Sequence, residues 1–574
     1  MRKKILQSLH NTVQDIYPDF TGALTIERPK NVDHGDYTTS IALSLAKLRK
    51  EAPQKVAADI VKAFPPIAEI ERIRIAGAGF INFYLRPEAK RAVIKEILQN
   101  PAFGCSNLGQ GEKALLEFVS ANPTGPLHVG HGRGAAYGAS LGNILEKAGF
   151  AVHREYYLND AGRQMNILAL SLWIRYLQEE GLPIPFPKGA YRGAYVIEMA
   201  KSLQAEHKTA FMATSLDDFI ALAAKDPGED AIDAHLDHLI AIAQQKLDDR
   251  FQTILDYALS LEVAELRDDL AHFRVHYDHF FSEKSLYASN KVEKALNVLQ
   301  EKGCLYEKDG ALWFASSQFG DDKDRVVKRE NGQYTYFAAD IAYHLHKISR
   351  GFDRLINVWG ADHHGYIARL KAAIQASGHD PEKLFVALVQ FAILWRHGAK
   401  VSMSTRAGEF VTLRELCDEV GVDAARFFYV LRKPEQHLDF DLDLAKAQSM
   451  DNPVYYVQYA HARICSVFAQ WGGDSQKLLN ADLTPLCENH EFDLCRRLED
   501  YPERIELAAS EYAPHHIAHY LQALAAALHS YYNAHQFLVE SETIKMARLS
   551  LIEAVRRVLS DGLGLLGVDA PEKM

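Results

Sequence analysis

Residues 114–160 read ALLEFVSANPTGPLHVGHGRGAAYGASLGNILEKAGFAVHREYYLND. No other segment restricts the fold so tightly. A short apolar run gives way to a proline- and glycine-bearing turn. A helix with small residues at its start follows, and then a second strand-like run. Strand, crossover helix and strand in that order open a parallel sheet with helices on its faces. Such sheets present the turn after their first strand at the carboxyl end, which is where ligands bind in open α/β folds.

The rest of the chain is organised around that unit. Residues 1–110 read as a small α+β unit: YTTSIALSLAKLRKEAPQKVAADIVKAF has helical periodicity and RIRIAGAGFINFYL alternates like a strand. Residues 111–400 form the Rossmann-like parallel-sheet domain, with an amphipathic helical insertion at about 165–270. Strand-like material returns at ALWFA, RVVKR, YTYFAAD and RLINVWGAD. A connecting region spans 401–450, and 451–574 reads as an all-helical bundle. The fold class is therefore α/β with an N-terminal α+β domain and a C-terminal helical domain.

Hydrophobic residues make up 48% of the 574 and charged residues 24%, which suits a core-forming protein. No stretch approaches the roughly 20 apolar residues of a membrane helix, and the N-terminus shows no secretory signal. The six cysteines lack C-x-x-C spacing, so reduced cytoplasmic thiols are expected. A net charge of −11 argues against indiscriminate nucleic-acid binding but leaves room for one local basic face.

Within the opening turn, Gly130, Gly132 and Gly134 would let backbone approach a ligand, and a helix start offers N–H groups to phosphate. His128 and His131 stand one helical turn apart and would donate hydrogen bonds where charge develops on phosphate. The spacing alone also fits a zinc pair, two satisfied core histidines, or a tight helix–sheet contact.

PLHVGHGR resembles the HIGH signature of class I aminoacyl-tRNA synthetases, and the longer LEFVSANPTGPLHVGHGR resembles arginyl-tRNA synthetases of bacterial type. The likeness runs along nearly the whole chain, through YYLNDAGRQ (156–164), ALWFASSQFGDDKDRVV (311–327), YTYFAADIAYH (334–344), WGADHHGYIARLKAA (359–373), NPVYYVQYAHAR (452–463) and GLLGVDAPEKM (564–574). It implies a cytoplasmic, monomeric ligase that uses ATP and Mg²⁺, without a structural metal, to join arginine to tRNA(Arg). The 401–450 region would then hold the second signature loop and contact the tRNA stem, and the two end domains would bind tRNA.

By the same resemblance, Pro126, His128, Gly130 and His131 would meet ATP. So would Ser402, Met403 and Ser404 of the second signature, SMSTR. That loop departs from the KMSKS type, because Ser402 and Thr405 stand where two lysines are expected. Lys400 and Arg406 are the cations placed to substitute, and with the imidazoles they make the expected catalytic set. The arginine slot would use Glu117, Ser120, Asn122, Asn159, Tyr336, Asp340, His363 and His364. Asp340 and Tyr336 are the pair for the guanidinium, and Asp160, Gln164 and Asp362 would complete the walls. Asp340 as an N-cap, Tyr336 as core and the Asp-His-His run as metal ligands remain alternatives. RNA contacts are expected at Phe80, Asn82 and Phe83 in the first domain, and at Tyr455, Tyr459, Arg463 and Met574 in the last. Two rival functions stay open: a catalytically weakened paralogue that binds RNA, or a class I synthetase for another amino acid.

Overall fold

The computed structural model describes residues 1–401 and 411–574. At its centre lies a five-stranded parallel sheet: β1 (Lys113–Glu117), β2 (Ala151–Leu158), β3 (His279–Ser282), β4 (Arg354–Gly360) and β5 (Leu384–Val389), in the spatial order 3-2-1-4-5. Leu115 of β1 pairs in register with His153 of β2 and Leu355 of β4. Ala114, Leu115 and Leu116 are fully buried because helices cover both faces, which is why the strand is an unbroken apolar run.

Alternation along β1 divides two cores. Ala114 and Leu116 face α1 (Val129–Lys147) and the C-terminal helices, while Leu115 faces α2 (Tyr336–Ser349) and α3 (Tyr366–Ala376). Glu117, two residues beyond Leu115, therefore points to the α2 side. YTYFAAD, expected as strand, starts α2 instead: Thr335 is its N-cap, with its hydroxyl accepting from the Ala338 amide. ALWF and RVVK form strands of a separate antiparallel three-stranded sheet, beside residues 305–308.

Between β2 and β3 the chain makes helices that bury their own core, from Met165 to Ala258. The last of them, Asp249–His272, is shared: Phe251, Ile254, Leu255 and Ala258 pack in the insertion, and Leu266 and Leu270 in the main core.

The N-terminal unit has a three-stranded antiparallel sheet with Phe80–Leu85 in the middle. Its core closes at Leu85. Helix Pro87–Gln99 packs into the main body, so residues 86–110, grouped with the first domain from sequence, join the larger core. Two expected RNA contacts lie inside this unit. Phe83 is in its core, and Asn82 is buried with its Oδ1 accepting from the Thr38 hydroxyl at 2.6 Å. As the central strand, Phe80–Leu85 is covered along most of its length, and Phe80 alone of the three is exposed.

Four long helices finish the chain: α4 (Pro453–Trp471), α5 (Asn489–Ser510), α6 (His515–Ala534) and α7 (Glu542–Leu565). They share one core with α1. Asn143 of α1 donates to the Leu565 carbonyl at 3.1 Å, and the Tyr137 hydroxyl to the Tyr512 carbonyl at 2.6 Å. Among the described residues, no helix is long and apolar enough to cross a membrane.

Candidate active site

The two histidines of the opening turn cap their own helix. His128 is the N-cap of α1, and its Nδ1 accepts from the Gly130 amide at 3.1 Å. His131 reaches back, its Nδ1 accepting from the His128 amide at 3.3 Å. Their rings stack with centroids 3.7 Å apart. With each Nδ1 used as an acceptor, the proton of each neutral ring sits on Nε2, which makes that atom a donor. Burial holds His128 below the usual histidine range. Burial, and then the neighbouring His128, pushes His131 down to about 3. At neutral pH the pair is therefore uncharged. That arrangement suits hydrogen-bond donation to an anion and disfavours zinc, which would need a bare ring nitrogen.

The glycines of the turn divide in role. A Cβ on Gly132 would stand 2.8 Å from side-chain atoms of both Leu413 and Tyr429, so this glycine serves close packing rather than ligand approach. Around Gly134 there is open space. Pro126 is half-buried at the end of the 122–126 turn.

Residues 411–413, which follow the second signature in the chain, pair directly with this turn. The Val129 amide donates to the Val411 carbonyl at 3.1 Å, the Leu413 amide to the Leu127 carbonyl at 2.7 Å, and Thr412 bridges His128 in antiparallel fashion. On the other side Lys400 is exposed on a two-residue strand paired with Trp395 and Arg396. Ser402, Met403, Ser404 and Arg406 lie outside the described residues.

At the carboxyl ends of β1, β2 and β3 a group of acids gathers, Asp340, Glu283 and Glu117. Asp340, one turn into α2, accepts from the Tyr366 hydroxyl of α3. Burial, with a contribution from Glu117, pushes Asp340 up to about 7. Glu283, the residue after β3, is buried, and burial followed by the charge of Asp340 pushes it to about 7 as well. Raised carboxyls of this kind lose their protons when a cation is placed beside them.

Glu117 is committed differently. Lys347 of α2, fully buried, donates to its Oε2 and to Asn357 Oδ1 at 3.0 Å. The Ser120 hydroxyl donates to Glu117 Oε1 at 3.2 Å and accepts from the Tyr157 amide at 3.1 Å. Val119 and Ser120 both adopt the left-handed conformation, with φ of 68° and 46°, a cost of order 1 kcal/mol or more for a β-branched residue.

Asn122 donates to Gln164 at 2.7 Å, and an Asn159 amide nitrogen facing Glu283 Oε2 lies 2.8 Å from it. Asp160 ties β2 to β3 by accepting from the Ser282 hydroxyl and the Lys284 amide. Tyr336, 60% exposed, arches over this loop with its hydroxyl 3.7 Å from where a Gly162 Cβ would be. His363 and His364 are exposed at the rim, where Asp362 faces His363 at 3.6 Å; no third metal-type side chain joins them among the described residues.

Sequence reasoning missed Glu283, Tyr366 and Lys347. Glu283 had one visible signal, an acid directly after the apolar HFFS run. The one described group of three metal-type side chains, His153, Glu155 and His279, is occupied by Arg350, which donates to Glu155 Oε2 at 2.6 Å and approaches His153 Nε2 at 3.1 Å.

In the C-terminal helices, Tyr455 and Tyr459 stack on α4 with ring centroids 5.8 Å apart, both partly exposed. Arg463 continues the row, 5.4 Å from the Tyr459 ring and 3.7 Å over Tyr532 of α6. Met574 is 51% exposed. Gln458 and His461, from the same stretch, turn inward and hold the C-terminal tail through Asp569 and Pro571.

Three family profiles cover most of the chain: "Arginyl tRNA synthetase N terminal domain" at residues 1–85, "tRNA synthetases class I (R), catalytic domain" at 93–430, and "DALR anticodon binding domain" at 457–574. An arginine–tRNA ligase of Nitrosospira multiformis is 56% identical over 95% of this chain and 94% of its own length. One of Nitrosomonas eutropha is 52% identical over 100% and 98%. Among solved structures, a putative arginyl-tRNA synthetase of Campylobacter jejuni aligns with a TM-score of 0.73 at 33% identity, over 85% of this chain and 100% of that one. The Thermus thermophilus arginyl-tRNA synthetase shares the fold over 100% of both chains, with a TM-score of 0.77 at 24% identity. With its parallel sheet, capped imidazole pair and cluster of raised acids, and on these matches, the chain belongs to the arginyl-tRNA synthetase family.

Proposed function

We propose a division of labour among the residues of this site for the family reaction, which is activation of arginine by ATP and its transfer to tRNA. In the first step the arginine carboxylate attacks the α-phosphorus of ATP. A P–O bond forms from the arginine carboxylate to the α-phosphorus, the bond from that phosphorus to the α,β-bridging oxygen breaks, and pyrophosphate leaves with that oxygen. In the second step the 2′-hydroxyl of the tRNA's terminal adenosine attacks the activated carbonyl; AMP leaves and the hydroxyl proton passes to solvent. No protein nucleophile takes part, so the site contributes position and charge.

The observation that supports this best is the strand-like pairing of Leu127–Val129 with Val411–Leu413, which brings the segment just after the second signature onto the imidazole turn. His128 and His131, neutral and with Nε2 as donor, would hold phosphate oxygens. Lys400 and Arg406 would supply the charge that Ser402 and Thr405 cannot. Mg²⁺ would supply further positive charge on the triphosphate. The described residues fit an ion that arrives on ATP, because no cluster of free carboxylates stands at the imidazole turn. Asp340 and Glu283 would receive the guanidinium, with Tyr336 over it, and Ser120, Asn122 and Asn159 the amino-acid backbone. Glu117 acts through its pair with Lys347. The Tyr455, Tyr459, Arg463 row would stack unpaired anticodon bases.

The test uses His128→Asn, which keeps a helix N-cap but removes the Nε2 donor. Arginine-dependent ATP–pyrophosphate exchange, measured with tRNA present, should fall at least a hundredfold, on the order expected for a lost transition-state donor. Arginine affinity by calorimetry should be unchanged. Lost arginine affinity with normal exchange at saturation would refute the phosphate role. If Arg406→Ala and Lys400→Ala both keep near-normal exchange, the substitute-cation role falls.

A further inference from the structure

The turn that leads to His128 rests on the helical insertion. The Tyr195 hydroxyl donates to the Thr124 carbonyl at 2.5 Å, and a Cβ on Gly125 would stand 3.3 Å from the Tyr195 ring. Beneath them lies Glu262, in the helix Asp249–His272 that is shared between the two cores. Leu255, Ala258, Glu262 and Leu266 are all buried at helical spacing, so an acid occupies the apolar stripe. Glu262 is 0% exposed, and among the described residues neither carboxyl oxygen makes a well-aligned hydrogen bond, the Gly125 amide being a nearby but poorly placed donor.

An ionised carboxylate without partners is far more costly to bury than a neutral acid. The Gly125 amide is close enough to favour the charged form. Burial, followed by Glu265 on the same helix, outweighs it and pushes Glu262 up to about 8. The other ionisable groups facing it are Tyr191 and Tyr195 of the insertion, both shifted upward by burial, and the turn itself has none. Glu265 is itself raised by burial and by Asp269, against the pull of Arg414.

We propose that Glu262 is a positioning residue for the adenylation step: as a neutral carboxylic acid it seats the 122–126 turn on the insertion, and the turn sets where His128 and His131 stand. The inference rests on the phosphate-facing reading of the imidazoles. Ionisation of Glu262 would place a bare charge at the seam where one helix is fixed on both sides, loosening the turn. The group is an internal acid whose useful form is the protonated one.

The experiment compares Glu262→Gln, a neutral isostere, with Glu262→Ala and the parent, in full-length protein with tRNA present. Exchange rates at saturating ATP and arginine are read from pH 7 to 9. Arginine's own ammonium titrates equally in all variants, so the ratio of variant to parent is the measure. With a group at about 8, the parent's competent fraction falls about tenfold over that interval, and the Gln/parent ratio should rise by the same factor. At pH 7 Glu262→Gln should match the parent, and Glu262→Ala should show a lower exchange rate with unchanged arginine affinity.

Thermal unfolding supplies a second readout. Because the folded-state value is raised, the parent loses stability as pH rises from about 4.5 to 8. The Gln variant's advantage should therefore grow over that span and then level. A flat Gln/parent ratio, or a Gln variant as impaired as Ala at pH 7, overturns the proposal. If His128→Asn retains full exchange, the imidazole reading fails instead. The stability arm then still reports whether Glu262 is neutral, and an unfolding gap that does not change with pH counts against it.

Discussion

Arginine binding should expel protons from this site. Asp340 and Glu283 each stand near 7, so at pH 7 each is about half protonated. A guanidinium seated between them favours both charged forms. If binding returns them to the ordinary carboxylate range, about 0.5 proton leaves each, approaching 1 in total. Each pKa unit of coupling is worth ~1.4 kcal/mol, so a three-unit drop corresponds to ~4 kcal/mol of interaction with the ligand. The perturbation is Asp340→Asn. It removes one charge partner, and the expected loss in arginine affinity is ~2–4 kcal/mol, about 30- to 1000-fold. Calorimetry in two buffers of different ionisation enthalpy reads the released protons directly. The parent should release roughly 0.5–1 proton at pH 7 and close to none at pH 8.5, and its affinity should weaken as pH falls below 7. Asp340→Asn should also lower the value of Glu283, because a like charge has gone, and release markedly less. Binding enthalpies independent of buffer at pH 7, or an Asp340→Asn variant within threefold of the parent, would refute the reasoning.

Two further outcomes follow from the geometry. Lys347→Met strands Glu117 as an unpaired buried charge and should destabilise by about 3–5 kcal/mol; adding Glu117→Gln should restore most of the loss, and an unchanged denaturation midpoint in Lys347→Met would count against the pair. Tyr459→Ala breaks the stacked row on α4 and should raise the KM for tRNA by about 5- to 160-fold through ~1–3 kcal/mol of lost stacking, while KM for ATP stays put; an unchanged tRNA KM would exclude that face from RNA binding.

The sheet was readable from sequence where its pattern was local. β1, α1 and β2 follow one another within 46 residues, and their order alone specified a parallel unit. β3 was hidden because the insertion separates it from β2 by more than a hundred residues, and four residues of strand give little periodicity. Glu283 was lost with it. YTYFAAD reads as strand on aromatic and β-branched content, yet Thr335 is an N-cap, and the helix wins because its apolar face has α3 and the sheet to pack against. The histidine spacing left phosphate, zinc and packing roles open, and it did not reveal that each ring caps the helix, which depends on Nδ1 geometry. Asn82 looked exposed because alternation predicts one buried face. A three-stranded sheet covered on its middle strand breaks that rule.

The last turn of the chain's final long helix is hydrogen-bonded to the same helix whose first turn presents the imidazoles. Asn143 and Ser140 reach the carbonyls of Leu565 and Leu566, and Lys147 reaches Asp561. Because α4, which carries the stacked tyrosines, packs on that same final helix, the tyrosine row and the imidazole turn are held like the jaws of a caliper on one frame. If the tyrosine row and the imidazole turn meet one RNA, as proposed, that RNA would have to fit a gauge set by the packing of these helices.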